Sequence, residues 1–108
     1  MTINLNGRDY PVAFTFGVYR KLTEEGVLTD DGALDMSRVH RVLFWTVHFG
    51  QKVTGQKPLT SDEFESIVDV APAADVLKAV EQVAEMIAEA MNVQVGNEQP
   101  EGQGVKKK

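Results

Sequence analysis

Apolar and polar residues alternate over the first dozen positions and recur at helical spacing thereafter, with the change of period falling near Thr15. Asn6-Gly7 interrupts the alternation. Both central positions of a type I′ hairpin turn need positive φ, which Asn and Gly tolerate best, so this dipeptide predicts strands over 2–5 and 8–14. A two-residue loop places Leu5 opposite Arg8, Ile3 opposite Tyr10 and Met1 opposite Val12, with Asn4 opposite Asp9 on the other face. Pro11 then faces Thr2 at a pair that exchanges no ladder hydrogen bonds, so its missing N–H costs the hairpin nothing.

Four helices are expected after the hairpin. Thr15 caps the first, from Phe16 to Glu25, with Phe16, Tyr19 and Leu22 on one side and Gly26 as its stop. Thr29-Asp30-Asp31-Gly32 reads as a loop, and Asp35 as the cap of a second helix carrying Met36, Val39, Val42, Leu43, Phe44, Trp45, Val47 and Phe49. Those side chains cover more than half the circumference and leave a narrow polar seam of Ser37, Arg41, His48 and Lys52, so this helix is enclosed on most sides. Leu59-Thr60-Ser61-Asp62-Glu63-Phe64 combines a capping box with a hydrophobic staple, and the helix it opens carries Phe64, Ile67 and Val68 inward and stops near Val70, ahead of Pro72. Pro72 opens the last helix, which runs to about Asn92 with Val76, Leu77, Val80, Val83, Ala84, Ile87 and Met91 inward. The expected fold is α+β: an N-terminal hairpin and about four helices in one domain over 1–94, then a disordered tail over 95–108 ending in Lys106-Lys107-Lys108.

Composition changes this picture mainly by exclusion. At 108 residues, 43% hydrophobic and 25% charged, the chain is an ordinary globular domain. It has no cysteine, which removes disulfides, thiolate metal sites and thiol nucleophiles. No apolar run approaches a membrane span and no secretion signal is visible, so a cytoplasmic location is expected, with no membrane partner. A net charge of −5 argues against a nucleic-acid partner.

Candidate chemistry is sparse. His40 and His48 are not at the i, i+4 spacing of a shared metal, and the serines and threonines read as caps or exposed helix positions instead of nucleophiles. Asp30/Asp31 and Asp62/Glu63 are simplest as loop and first-turn acids. No catalytic residue, cofactor or metal is expected. Charge distribution says more: residues 1–61 carry seven basic and six acidic side chains, whereas residues 62–89 carry one lysine against eight acids. Glu81, Glu85 and Glu89 form an i, i+4 ladder of like charges, which disfavours the isolated helix and would be relieved by a basic surface. The ladder is either a solvated face that keeps an acidic protein soluble, or it meets a basic surface, which is the Arg41/Lys52 seam with Arg38 or a partner; Trp45, beside Arg38 and Arg41, is either core or an interface anchor. These seven residues, Glu81, Glu85, Glu89, Arg38, Arg41, Trp45 and Lys52, are the partner-binding candidates.

The order of landmarks resembles the tail assembly chaperones of long-tailed, siphovirus-like bacteriophages and prophages. The resemblance rests on the opening "N-G-R-D-Y-P-V-A-F-T-F-G", the helix "Y-R-K-L-T-E-E-G", the apolar stretch "V-L-F-W-T-V-H-F-G" and the segment "L-T-S-D-E-F-E-S-I-V-D" before a long last helix. It spans about residues 3–91 and lies in the order of short motifs. It implies a non-catalytic protein of the host cell cytoplasm that binds the tape measure protein, keeps it soluble until the tail tube polymerises, self-associates, and meets the tail tube protein. It also implies a frameshifted longer product, for which consecutive lysine codons at 106–108 are a possible slip site. A small acidic adaptor, antitoxin-like in kind, and a minor structural tail protein are the alternatives.

Overall fold

The computed structural model describes residues 1–29 and 33–98, with all their side chains except those of Met36 and residues 92–98. Strands β1 (Thr2–Leu5) and β2 (Arg8–Pro11) form an antiparallel hairpin, followed by α1 (Phe16–Glu24), a 3₁₀ turn (Met36–Arg38), α2 (Val39–Val53), α3 (Ser61–Val70) and α4 (Ala73–Glu98). The expected hairpin register is the one formed: Leu5 pairs with Arg8, Asn4 with Asp9, Ile3 with Tyr10 and Thr2 with Pro11. Asn6 and Gly7 take φ of 54° and 83°, as a type I′ turn demands.

Beyond Pro11 the chain departs from the expected strand over 8–14. Val12 N–H closes a last rung on the Met1 carbonyl at 3.0 Å, and Ala13 N–H then turns to the Thr46 carbonyl of α2 at 3.1 Å. Gly50 makes that docking possible. A Cβ there would sit 2.4 Å from the Pro11 carbonyl oxygen and 2.7 Å from Val12 Cα, both backbone atoms. The hairpin and the central helix therefore meet backbone to backbone.

In α1 the inward face differs from the expected one. Thr15 caps the helix by accepting from Val18 N–H at 3.4 Å, and Gly26 ends it at φ 75°. Val18 and Leu22 are buried, whereas Phe16 is 75% exposed and Tyr19 also lies at the surface. The period of three places Leu22 rightly but not Phe16 and Tyr19, because the close contact in this helix is a glycine: a Cβ on Gly17 would meet the Phe49 ring at 2.6 Å. At about 100° per residue, a helix turned so that Gly17 and Val18 face α2 and the core carries Phe16 and Tyr19 outward.

Asp35 is a cap, but of the 3₁₀ turn: its carboxylate accepts from Ser37 N–H at 3.0 Å and Ser37 Oγ at 2.7 Å, and the α-helix begins at Val39. The expected loop at Asp30, Asp31 and Gly32 lies outside the described residues; on its flanks Leu28 and Leu34 form an antiparallel bridge. Helix α2 is the core element, burying Val42, Leu43, Phe44, Thr46, Val47, Gly50 and Gln51. Thr46 meets its polar need locally, donating to the Val42 and Leu43 carbonyls at 2.9 and 3.0 Å.

The capping box of α3 forms as expected, with Glu63 N–H on Thr60 Oγ1 at 3.2 Å and Thr60 N–H on Glu63 Oε1 at 2.9 Å. Helix α4 packs across α2 and β1 through Ala79, Val80, Val83 and Ile87. Leu77, expected in the core, is 60% exposed, since it lies at the edge of the arc those residues define. The helix also runs past both its expected end near Asn92 and the expected domain limit at 94, reaching Glu98. No proline opposes it until Pro100, and an established helix extends at little cost. The expected tail from 99, with its three lysines, lies outside the described residues.

Candidate protein-binding surface

Two of the seven candidates, Arg41 and Trp45, converge on a carboxylate that sequence reasoning passed over. Glu25, at the carboxyl end of α1, accepts from Arg41 Nε at 3.0 Å and Arg41 Nη2 at 2.9 Å, a bidentate pair, and from Trp45 Nε1 at 3.0 Å. Arg41 extends further, to Ser61 Oγ at 2.7 Å and Glu65 Oε2 at 3.4 Å on α3. Its guanidinium lies 4.9 Å from the centre of the Phe44 ring and 5.7 Å from that of Trp45, and Lys21 Nζ approaches Trp45 at 5.3 Å. The hydrogen bond from Arg41 is the largest influence holding the Glu25 carboxyl below its ordinary pKa, while burial acts in the opposite sense. The same pair raises the pKa of Arg41. Glu25 is legible in the sequence only as the acid before Gly26, and nothing in its spacing announces a partner sixteen residues on.

Arg38 belongs to the same corner, donating from Nη1 to the Glu25 carbonyl and lying 3.9 Å from Asp35 Oδ2. Lys52 sits at the far end of α2, its Nζ 5.3 Å from the Phe49 ring centre. Trp45 is half-buried, with Lys21 and Arg41 near its ring and its N–H engaged by Glu25. The seam on α2 is therefore occupied by its own neighbours.

Glu81, Glu85 and Glu89 stand apart from this cluster, all exposed along the outward side of α4. Among the described residues none of the three forms an ion pair, so the Arg41/Lys52 seam does not relieve the ladder within the chain. Among the described residues, no basic side chain pairs with the ladder.

A second feature escaped the sequence altogether. Phe14, Thr15, Phe16 and Tyr19 face Ala90 and Met91 across an open groove of ≈ 280 Å³ between the start of α1 and the later part of α4. The rings of Phe16 and Tyr19 stack with centroids 6.1 Å apart. A polar groove of ≈ 340 Å³ lies along the other end of α4, lined by Thr2, Asn4, Asp9, Asp75, Lys78 and Gln82. Asn4 Nδ2 donates to Asp9 there at 2.9 Å, and Asn6 N–H to Asp75 at 3.0 Å.

Among the described residues no group of three or more histidines or acids is placed to hold a metal ion, and no helix is long and apolar enough to cross a membrane. Set against models of protein families, curated proteins and solved structures, the chain matches none of them. The class defined by the coordinates themselves is a hairpin-and-helix domain with an unpaired acidic helix face and an aromatic groove.

Proposed function

We propose that this chain is a non-catalytic binding protein of the tail assembly chaperone kind, acting in the host cell cytoplasm on a long helical client, the tape measure protein, until the tail tube replaces it. The observation that carries the reading is on α4. Its outward side presents three glutamates that form no ion pair among the described residues, and its later part borders a groove walled by two surface aromatics. The glutamates suit basic side chains of a client and the groove suits apolar ones, as two separate contacts on different sides of α4. Exposed aromatic side chains beside a groove are also what a soluble domain tends to retain when it uses them for contact.

Homo-oligomer formation and contact with the tail tube protein belong to the same proposal, and no cofactor is required by it, since polymerisation of the tube supplies the displacement. The sequence resemblance and the surface of α4 support it independently.

The test is to sequence the DNA flanking this gene, co-express the chain with any very long, helix-rich reading frame encoded there, and follow with co-purification and sedimentation. A soluble complex with the long protein, and insolubility of that protein alone, is the expected result. A discrete monomer or dimer that leaves the long protein insoluble favours a small adaptor instead, and recovery of the chain from purified virions favours a structural tail component. Genomic sequence through the codons for residues 106–108 decides whether a longer frameshifted product exists.

A further inference from the structure

Helix α3 is held differently from the other elements. It has one fully buried side chain, Phe64, where α2 has seven buried residues. Ile67 and Val68 are half-buried, and Val70 is 74% exposed. Its polar ties collect at one end. Arg41 holds Ser61 and Glu65, the buried Gln51 Oε1 accepts from Leu59 N–H at 2.9 Å, and His48 Nδ1 lies 3.4 Å from the Leu59 carbonyl. Among the described residues no side-chain hydrogen bond or ion pair joins residues 66–70 to another element.

Both flanks of this segment suit a pivot. Residues 52–57 are all exposed, with Gly55 at φ 80°, and on the other side the extended Ala71 leads into Pro72 and α4. Beneath the helix lies Phe44, its ring centre 6.0 Å from that of Phe64.

We propose that residues 59–70 open as one unit, a lid over the Phe44 side of α2, with Arg41 as its latch. Arg41 grips Glu25 through a bidentate ion pair of 2.9 and 3.0 Å, and α3 through one neutral bond of 2.7 Å to Ser61 Oγ and a longer contact of 3.4 Å to Glu65, so the charged, two-point hold keeps it with α1 when α3 departs. Opening separates Phe64 from Phe44 and exposes an apolar surface inside the acidic part of the chain. Local opening of this kind is expected wherever a short element has few buried contacts and its restraints are polar and near solvent.

A detached ten-residue helix does not persist alone in water, so opening is read directly as amide exchange. Amide-resolved hydrogen exchange on the full chain is compared with that of a Ser61→Ala/Glu65→Ala variant, which removes both acceptors that Arg41 uses on α3 and leaves Arg41 on Glu25. The expected result is that amides of residues 65–70 share one protection factor, at least tenfold below those of residues 43–47. In the variant that shared value falls severalfold further, with α2 unchanged. Three results each overturn the proposal: equal protection in α3 and α2, which means opening only by global unfolding; protection graded from the ends of α3, which means fraying; or no response to the variant, which removes Arg41 as a latch.

Discussion

At the scale of single residues, Glu25 does the most with the least warning. It links the end of α1 to Arg41 and Trp45, and through Arg41 to α3. Because its folded-state pKa lies below the ordinary value of 4.5, the stabilisation it gives is complete above that value and is lost as pH falls through the folded pKa. Glu25→Gln is therefore expected to lower stability at pH 7 by about 1–2 kcal/mol, the loss of charged hydrogen bonds in a half-buried site, and to narrow the difference between pH 7 and pH 4. Thermal unfolding of both proteins at the two pH values checks it. Gly50 makes the opposite kind of demand. Alanine is the better helix former by about 1 kcal/mol, yet Gly50→Ala is expected to destabilise by about 1–3 kcal/mol, since the added methyl meets backbone that has little freedom to retreat. Urea unfolding measures the sign directly.

At the scale of elements, what could be read in advance depended on whether a signal was local. The Asn6-Gly7 turn, the Thr60 capping box and the Gly26 stop each depend on a few adjacent residues, and each formed as expected. Thr60→Ala is accordingly expected to cost about 1 kcal/mol, seen as a lower unfolding midpoint. The face of α1 was misread because it is set by Phe49, thirty-two positions away, which only a glycine at 17 allows so close. Leu77 was misread for a related reason: the arc of α4 is fixed by what it packs against, not by hydrophobicity alone. The groove could not be inferred from sequence, since Phe16, Tyr19 and Met91 fall on faces that periodicity marks as apolar and only the packing of α1 against α4 brings them to one opening. Phe16→Ser with Tyr19→Ser is expected to change stability by no more than about 0.5 kcal/mol, as surface substitutions do, while weakening client capture. An unfolding curve and a co-purification on the same variant separate the two effects.

For the whole molecule, the charge map becomes a statement about association. The acidic residues of 62–89 are spread over α3 and α4, and the ladder on α4 has no cation of its own among the described residues. Glu81→Lys with Glu85→Lys is expected to leave helical content unchanged and to weaken client binding or self-association. The wild-type interaction should itself weaken as salt rises from about 0.05 to 0.5 M, because exposed charges are screened over shorter distances. Sedimentation velocity at the two salt concentrations tests both statements. Unchanged behaviour in the double variant would remove the ladder from the binding surface and leave the aromatic groove to carry it.

The chain has a single tryptophan, and its indole N–H rests on the carboxylate that joins α1 to α2. The corner where three helices meet thus contains its own optical label. Its emission wavelength and its accessibility to a soluble quencher report on the environment of that corner, without any dye or introduced residue. Two tyrosines supply the phenolic signal, and one of them, Tyr10, is buried in the hairpin. Light absorbed at the red edge therefore reads the helix junction alone, and a binding event at that junction can be followed in real time on the unmodified protein.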